Sequence, residues 1–224
     1  MQQSQDIIPK SDVFERYVLH QNDIPADLRL GPVLAIDCVF MGGNVFRDRL
    51  SLLQVYDGEP ESKVHIIKFD RDGYATPHLR RLLSDAGREK LFFYARADMK
   101  WIGHYLGTVL TNVSCLRTES RIARTYTQTH ELEDLCRQML GIKIPKDHHC
   151  ASRGQESLTS VQLDHICHDV LYLHALKEKL AAHLHQEGRA HIAAQLAACL
   201  PAVVAADLAG WDGQDLFAYQ IPKP

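Results

Sequence analysis

Apolar positions along the chain first follow strand spacing and then helix spacing. Residues 32–38 run Pro-Val-Leu-Ala-Ile-Asp-Cys, a continuous apolar stretch closed by an acid. That is the pattern of a central strand buried on both faces. Met41-Gly42-Gly43-Asn44 breaks it with turn chemistry. Leu50–Tyr56 and residues 64–69 carry β-branched and aromatic residues on either side of Asp57-Gly58-Glu59-Pro60, and read as two antiparallel partners of that first strand. Residues 17–20 suit a short edge strand, residues 91–94 and 113–116 two more short strands. From residue 77 the period lengthens. Helices are predicted over 77–83, 97–106, 119–126, 130–140, one long helix over 159–186, and a Leu/Ala-rich stretch over 188–208. Thr159-x-x-Gln162 supplies a capping box for the long helix. A strand-rich first half followed by helices suits an α/β fold, a mixed sheet of about five strands flanked by helices on both faces.

Length favours one well-buried domain, 13–224 with a C-terminal helical extension, behind a flexible polar N-terminus over 1–12. The formal net charge of −3 argues against a protein that coats nucleic acid through a basic surface. It leaves room for an enzyme holding a short nucleic acid in a local groove. Six cysteines at 38, 115, 136, 150, 167 and 199 form no CxxC pair, and no signal peptide precedes them. Reduced core thiols and a cytoplasmic location are the expectation. No apolar run reaches the ~20 residues of a membrane span, so no membrane partner is expected.

Three acids stand where chemistry could be carried. Asp37 ends the central strand, Asp98 opens a helix after a second strand, and Asp169 lies deep in the long helix. Each has an ordinary reading as a turn cap, a dipole partner or a solvated face. On the long helix Leu163, Ile166, Val170, Leu173 and Leu180 make an apolar stripe. His165, Asp169 and Tyr172 share the adjacent face at i, i+4 and i+7. His148, His149, Cys150, His165, Cys167 and His168 are zinc-ligand types, but no closed ligand spacing joins them.

Taken together the motifs resemble RNase D-like 3′–5′ exonucleases of the DEDD group, particularly the nano-RNase C branch. Asp37 with Met41-Gly42, then Arg47-Asp-Arg-Leu-Ser-Leu-Leu-Gln-Val55, is similar to the first motif and second strand. Leu91-Phe-Phe-Tyr-Ala-Arg-Ala-Asp98 is similar to the second motif, and Gln162 through Leu176 to the third. Residues 121–126, 132–141 and Asp207-Leu-Ala-Gly-Trp211 extend the likeness over residues 17–217. The resemblance implies an RNase H-like (DnaQ-like) fold and two divalent cations, Mg²⁺ or Mn²⁺. It implies metal-binding and catalytic roles for Asp37, Asp98 and Asp169. It sets Met41, Gly42, Tyr94, Arg96 and Arg153 along the nucleic-acid path, with Lys100, Arg121 and Arg124 as further phosphate candidates. Its partners would be short single-stranded RNA or DNA and further copies of the chain in a homo-oligomer.

The site departs from the family pattern. The first motif normally reads Asp-x-Glu, and here Val39 stands in place of the glutamate. Cys38 should face away, because side chains alternate along a strand. Asp48 is the nearest spare acid in sequence. The third motif's usual Tyr is His165, an imidazole with an ordinary pKa of ~6.5 and so a competent general base. A sister branch uses His with one residue more of spacing. Phe93 and Ala97 replace the second motif's usual His or Asn and Phe, and a loop that often ends Asp-Trp-Gly reads Ser152-Arg153-Gly154. The departures imply a protein that engages 3′ ends of short single-stranded RNA with impaired or absent catalysis, and then a role with a protein partner. The alternative is an active oligoribonuclease using Asp37, Asp98, Asp169 and His165.

Overall fold

The computed structural model describes residues 16–144 and 158–218. Six strands form one mixed sheet: β1 (Tyr17–Gln21), β2 (Val33–Phe40), β3 (Leu50–Tyr56), β4 (Val64–Lys68), β5 (Glu89–Phe92) and β6 (Val113–Cys115). Their spatial order is β1-β4-β3-β2-β5-β6. β3 pairs antiparallel with β2 and with β4, while β1–β4, β2–β5 and β5–β6 are parallel. The sheet has one strand more than expected, and β4 pairs with β3 instead of β2. Local periodicity identifies strands but carries no information on which neighbour takes the ladder.

The helices are α1 (Pro77–Ser84), α2 (Ala95–Leu106), α3 (Leu116–Ala123), α4 (Leu132–Leu135), α5 (Ser160–Leu171), α6 (Leu173–Gln186) and α7 (Ala190–Ala206). α4 widens into a π turn over Cys136–Leu140, and α7 into another over Asp207–Trp211. Two cores line the sheet. On one face Leu34, Ile36 and Cys38 of β2 meet Leu79 of α1, Met99, Trp101 and Ile102 of α2, and Val204 of α7. On the other, Ala35 of β2 meets Leu135 and Cys136, Leu163 and Val170 of α5, and Leu173 and Leu180 of α6, with Val39 packed at the edge. β2 is therefore buried from both sides, as its unbroken apolar run requires.

The long helix expected over 159–186 is two helices. Tyr172 breaks it, with φ −99° and ψ −6°, and its ring is buried and stacked on His168. The break lets α5 pack on the sheet while α6 runs against α3. The Thr159–Gln162 capping box is present as expected. Four of the described cysteines are buried and free, and Cys199 is exposed. The membrane expectation needs one correction. The stretch Ala190–Trp211 is long and apolar enough to span a membrane by length and composition, because small alanines carry its hydropathy without forming an obvious apolar run. In the fold, α7 packs on α2 and β6 and leaves Ile192 and Leu196 exposed.

Candidate active site

Asp37, Asp98 and Asp169 come from three elements that meet beside the central strand. Asp37 does not end the central strand as expected, since β2 continues through Phe40; it stands on the face shared with Ala35 and Val39. Its cross-strand partner is Gln54 of β3, whose Nε2 donates to Asp37 Oδ2 at 3.2 Å. Asp98 lies in the first turn of α2 and is 3% exposed. Asp169 is half-buried near the end of α5.

All three carboxyls are held above their ordinary range. Burial is the main cause at Asp37, with the charges of Asp98 and Asp169 adding to it. At Asp98 burial again leads, followed by Cys115 and Asp169. The Cys38 backbone amide favours the ionised form of both without offsetting that cost. Burial and then the Glu133 carboxylate raise Asp169 to about 7. Such a cluster lacks positive charge. Asp98 Oδ2 is buried without a hydrogen-bond partner, as is Gln54 Oε1. Unpartnered hard oxygens beside mutually repelling carboxylates are the chemistry a small divalent cation answers. The donor set thus fits such an ion in kind. Among the described residues, however, no three His, Cys, Asp or Glu side chains converge into a ready coordination group.

Val39 shares the face of Asp37 and packs at the edge of the second core, offering no oxygen. Cys38 turns into the opposite core, as alternation requires, and burial keeps its thiol protonated. Asp48 is committed elsewhere. Arg47 holds it through two hydrogen bonds of 2.8 and 3.0 Å, and that contact, with the Asn44 amide, lowers its pKa to about 2. Gly42 owes its identity to the same side chain, since a Cβ there would lie 2.1 Å from Asp48 Oδ2. His165 is half-buried on α5, one turn before Asp169, in edge contact with His168. Cys167 points into the core, its Sγ bonded to the Leu163 carbonyl. His165, Cys167 and His168 therefore assemble no zinc site. His148, His149, Cys150, Arg153 and the 1–12 segment lie outside the described residues.

The basic candidates separate sharply. Arg96 makes two hydrogen bonds of 2.7 and 2.6 Å to buried Asp207, and Lys100 reaches Asp212 at 2.6 Å. Arg124 is 1% exposed and serves Ser120, the Thr129 carbonyl and Gln138. The Tyr94 phenol donates to Glu131, and its ring lies beneath Arg117 at 5.0 Å. Arg121 is exposed and bonds none of the described residues. With Tyr94, Arg96, Lys100 and Arg117 it lines a cleft of about 440 Å³ on the side of α2. A larger cavity, about 580 Å³, lies between β6, α6 and α7 and contains none of the three acids. Sequence reasoning missed one residue at the site, Gln54, which was visible as the lone amide in an apolar strand.

A mixed sheet with acids on its central strand and two flanking helices makes this an α/β domain with a carboxylate-lined face. Residues 14–185 match the family model for the 3′–5′ exonuclease. Over 92% of its length the chain is similar to 99% of Brucella melitensis NrnC bound to pGG, at 33% identity and TM-score 0.86. The same protein with bound Mg²⁺ aligns at 32% identity and TM-score 0.85, covering 92% of this chain and all of that one. Escherichia coli RNase D shares the fold alone, at 17% identity and TM-score 0.65 over 77% of this chain and 45% of that one. A search of curated proteins finds no match. The chain belongs to the 3′–5′ exonuclease family, with the RNase D-like and NrnC proteins among its structural relatives.

Proposed function

We propose that this protein engages the 3′ ends of short single-stranded RNA, or DNA, and that its phosphodiester hydrolysis is impaired or lost. One observation carries the reading: three acids persist on β2, α2 and α5 while Val39 occupies the face where a fourth oxygen is expected. The likeness to NrnC bound to pGG supports the substrate class, and its Mg²⁺-bound form supports a divalent cation.

Asp37, Asp98 and Asp169 would hold Mg²⁺ or Mn²⁺. Such an ion lowers the pKa of water and stabilises charge on a reacting phosphate. The chain's own residues would supply the rest. Gln54 donates to the Asp37 carboxylate, and the role proposed for His165, one turn from Asp169 on α5, is to take a proton from the attacking water. Arg121 is left to meet a phosphate, since Arg96, Lys100 and Arg124 are spent on the protein itself. A homo-oligomer belongs to the same proposal, with exposed Ile192 and Leu196 of α7 as a candidate surface for it. Light scattering on the purified chain reads that directly.

The test incubates purified protein with Mn²⁺ and end-labelled pGG or a heptanucleotide, following anisotropy for binding and gel mobility for shortening. Binding with little or no shortening is expected, and His165→Ala should abolish any residue of turnover while leaving binding intact. Brisk stepwise shortening would establish the active oligoribonuclease that uses Asp37, Asp98, Asp169 and His165. Failure to bind either nucleotide would remove the reading altogether and leave the protein-partner role.

A further inference from the structure

The face of the central strand that carries Asp37 is short of one oxygen, and the strand beside it holds one to spare. β2 and β3 run antiparallel, with Asp37 opposite Gln54 and Val39 opposite Leu52. Side chains alternate along a strand, so Leu52, Gln54 and Tyr56 share one face of β3, the face that meets Ala35 and Val39. Of these three, Leu52 has no polar side-chain atom, and Tyr56 donates its hydroxyl to the Glu59 carbonyl. Gln54 is fully buried, its Nε2 donates to Asp37 Oδ2 at 3.2 Å, and its Oε1 accepts no hydrogen bond. A buried acceptor left unpaired costs free energy, so this oxygen calls for a partner.

The spacing suits a cation. Glutamine carbonyls are ordinary ligands of hard divalent ions, and an octahedral ion holding its oxygens at ~2.1 Å sets adjacent ones about 3 Å apart. The end of the Gln54 amide now occupied by Nε2 stands at close to that separation from Asp37 Oδ2. The two ends of an amide have nearly the same shape, so half a turn of the terminal group puts Oε1 where Nε2 stands. The turn gives up one hydrogen bond, the one to Asp37, and Oε1 leaves a position where it had none. Without a cation the N–H faces the carboxylate. With a cation between them, the oxygen does.

We propose that Gln54 of β3 is a metal-ligating residue, its Oε1 taking, beside Asp37, the place of the oxygen that Val39 lacks. The ligand comes from the neighbouring strand, and as a neutral amide instead of a carboxylate. This rests on the metal-binding reading above.

Two variants separate a ligand from a residue that only steadies Asp37. Gln54→Leu removes both ends of the amide, whereas Gln54→Glu removes the N–H and keeps an oxygen. The full chain is titrated with Mn²⁺, affinity being read by electron paramagnetic resonance and the number of metal-bound waters by proton relaxation. Gln54→Leu should weaken Mn²⁺ about tenfold, in the range for perturbed metal sites, and add one bound water. Gln54→Glu should bind at least as tightly as the parent and gain no water. If Gln54→Glu binds as weakly as Gln54→Leu, the N–H is what matters and the proposal is overturned. Unchanged affinity in Gln54→Leu, or weaker affinity with an unchanged water count, overturns it too. Absence of Mn²⁺ binding in the parent chain, with pGG still bound, would overturn the metal site altogether while sparing nucleic-acid engagement. Melting curves in chelator confirm that the fold is kept, and Gln54→Met, which preserves side-chain length, replaces Gln54→Leu should that variant not fold.

Discussion

Two ionic clusters sit on this sheet, one at its β5–β6 edge and one beside the central strand β2, and they are built on opposite principles. Lys177 of α6 donates to Glu119 at 2.7 Å and to Ser114 at 2.6 Å, and lies 3.2 Å from Glu89. Burial disfavours its ammonium, but the two glutamates more than offset that and raise its pKa. Burial still raises Glu119 despite the lysine beside it. This cluster contains its own cation. The Asp37, Asp98 and Asp169 cluster contains none, and its acids rise together. A structural ionic cluster closes its charge internally, whereas one that leaves it open marks a place for a cation from outside.

The comparison can be broken from the structural side. Lys177→Met leaves Glu119, 5% exposed, without its counter-charge. A loss of ~3 kcal/mol is expected in denaturant unfolding, the low end for removing one partner of a buried pair, since Lys177 keeps 26% side-chain exposure. Combining it with Glu119→Gln should recover much of that loss. Full stability in Lys177→Met would show that the closed cluster is ornamental.

From the open side, Val39→Glu adds a carboxylate on the face of Asp37. The variant should bind Mn²⁺ up to ~100-fold more tightly, the scale on which site perturbations alter metal affinity, and should shorten labelled oligonucleotides faster than the parent. In chelator it should melt lower, because a further acid joins an unneutralised group. Calorimetry with and without Mn²⁺ reads both effects. If neither metal-dependent gain appears, the pocket has diverged beyond one residue.

The mildest probe is pH. Asp169 titrates at about 7 in the fold against an ordinary 3.8. Its protonated form is thus favoured by folding, and that contribution is fully present below 3.8 and lost as pH rises through about 7. In chelator the parent chain should therefore soften from acid to neutral pH, and Asp169→Asn should flatten the profile. Above pH 7 the variant should be more stable by about 4 kcal/mol, with the two converging in acid. Saturating Mn²⁺ should reverse the order, since only the parent gains from the ion. Parallel pH profiles would show that Asp169 is no part of a charged group.

How far sequence led depends on the range of the interaction involved. The central strand, its terminal acid and the Thr159 cap were legible because each is written within a few residues. Tyr172 could not be seen as a break, since what ends α5 there is the pull of two helices toward different elements. Arg96 looked like a phosphate contact because its partner, Asp207, lies 111 residues away. Arg124 is taken up by the following turn and the π segment of α4, partners that its charge alone does not reveal.

The Arg96–Asp207 contact also sets an order of events at synthesis. At 5–20 residues per second, about 6–20 s separate the appearance of the guanidinium from that of the carboxylate that takes it up. Until then the helix bearing Asp98 presents a free arginine at its outer face, open to any passing anion. A chain ending before residue 207 would leave that guanidinium without its carboxylate partner.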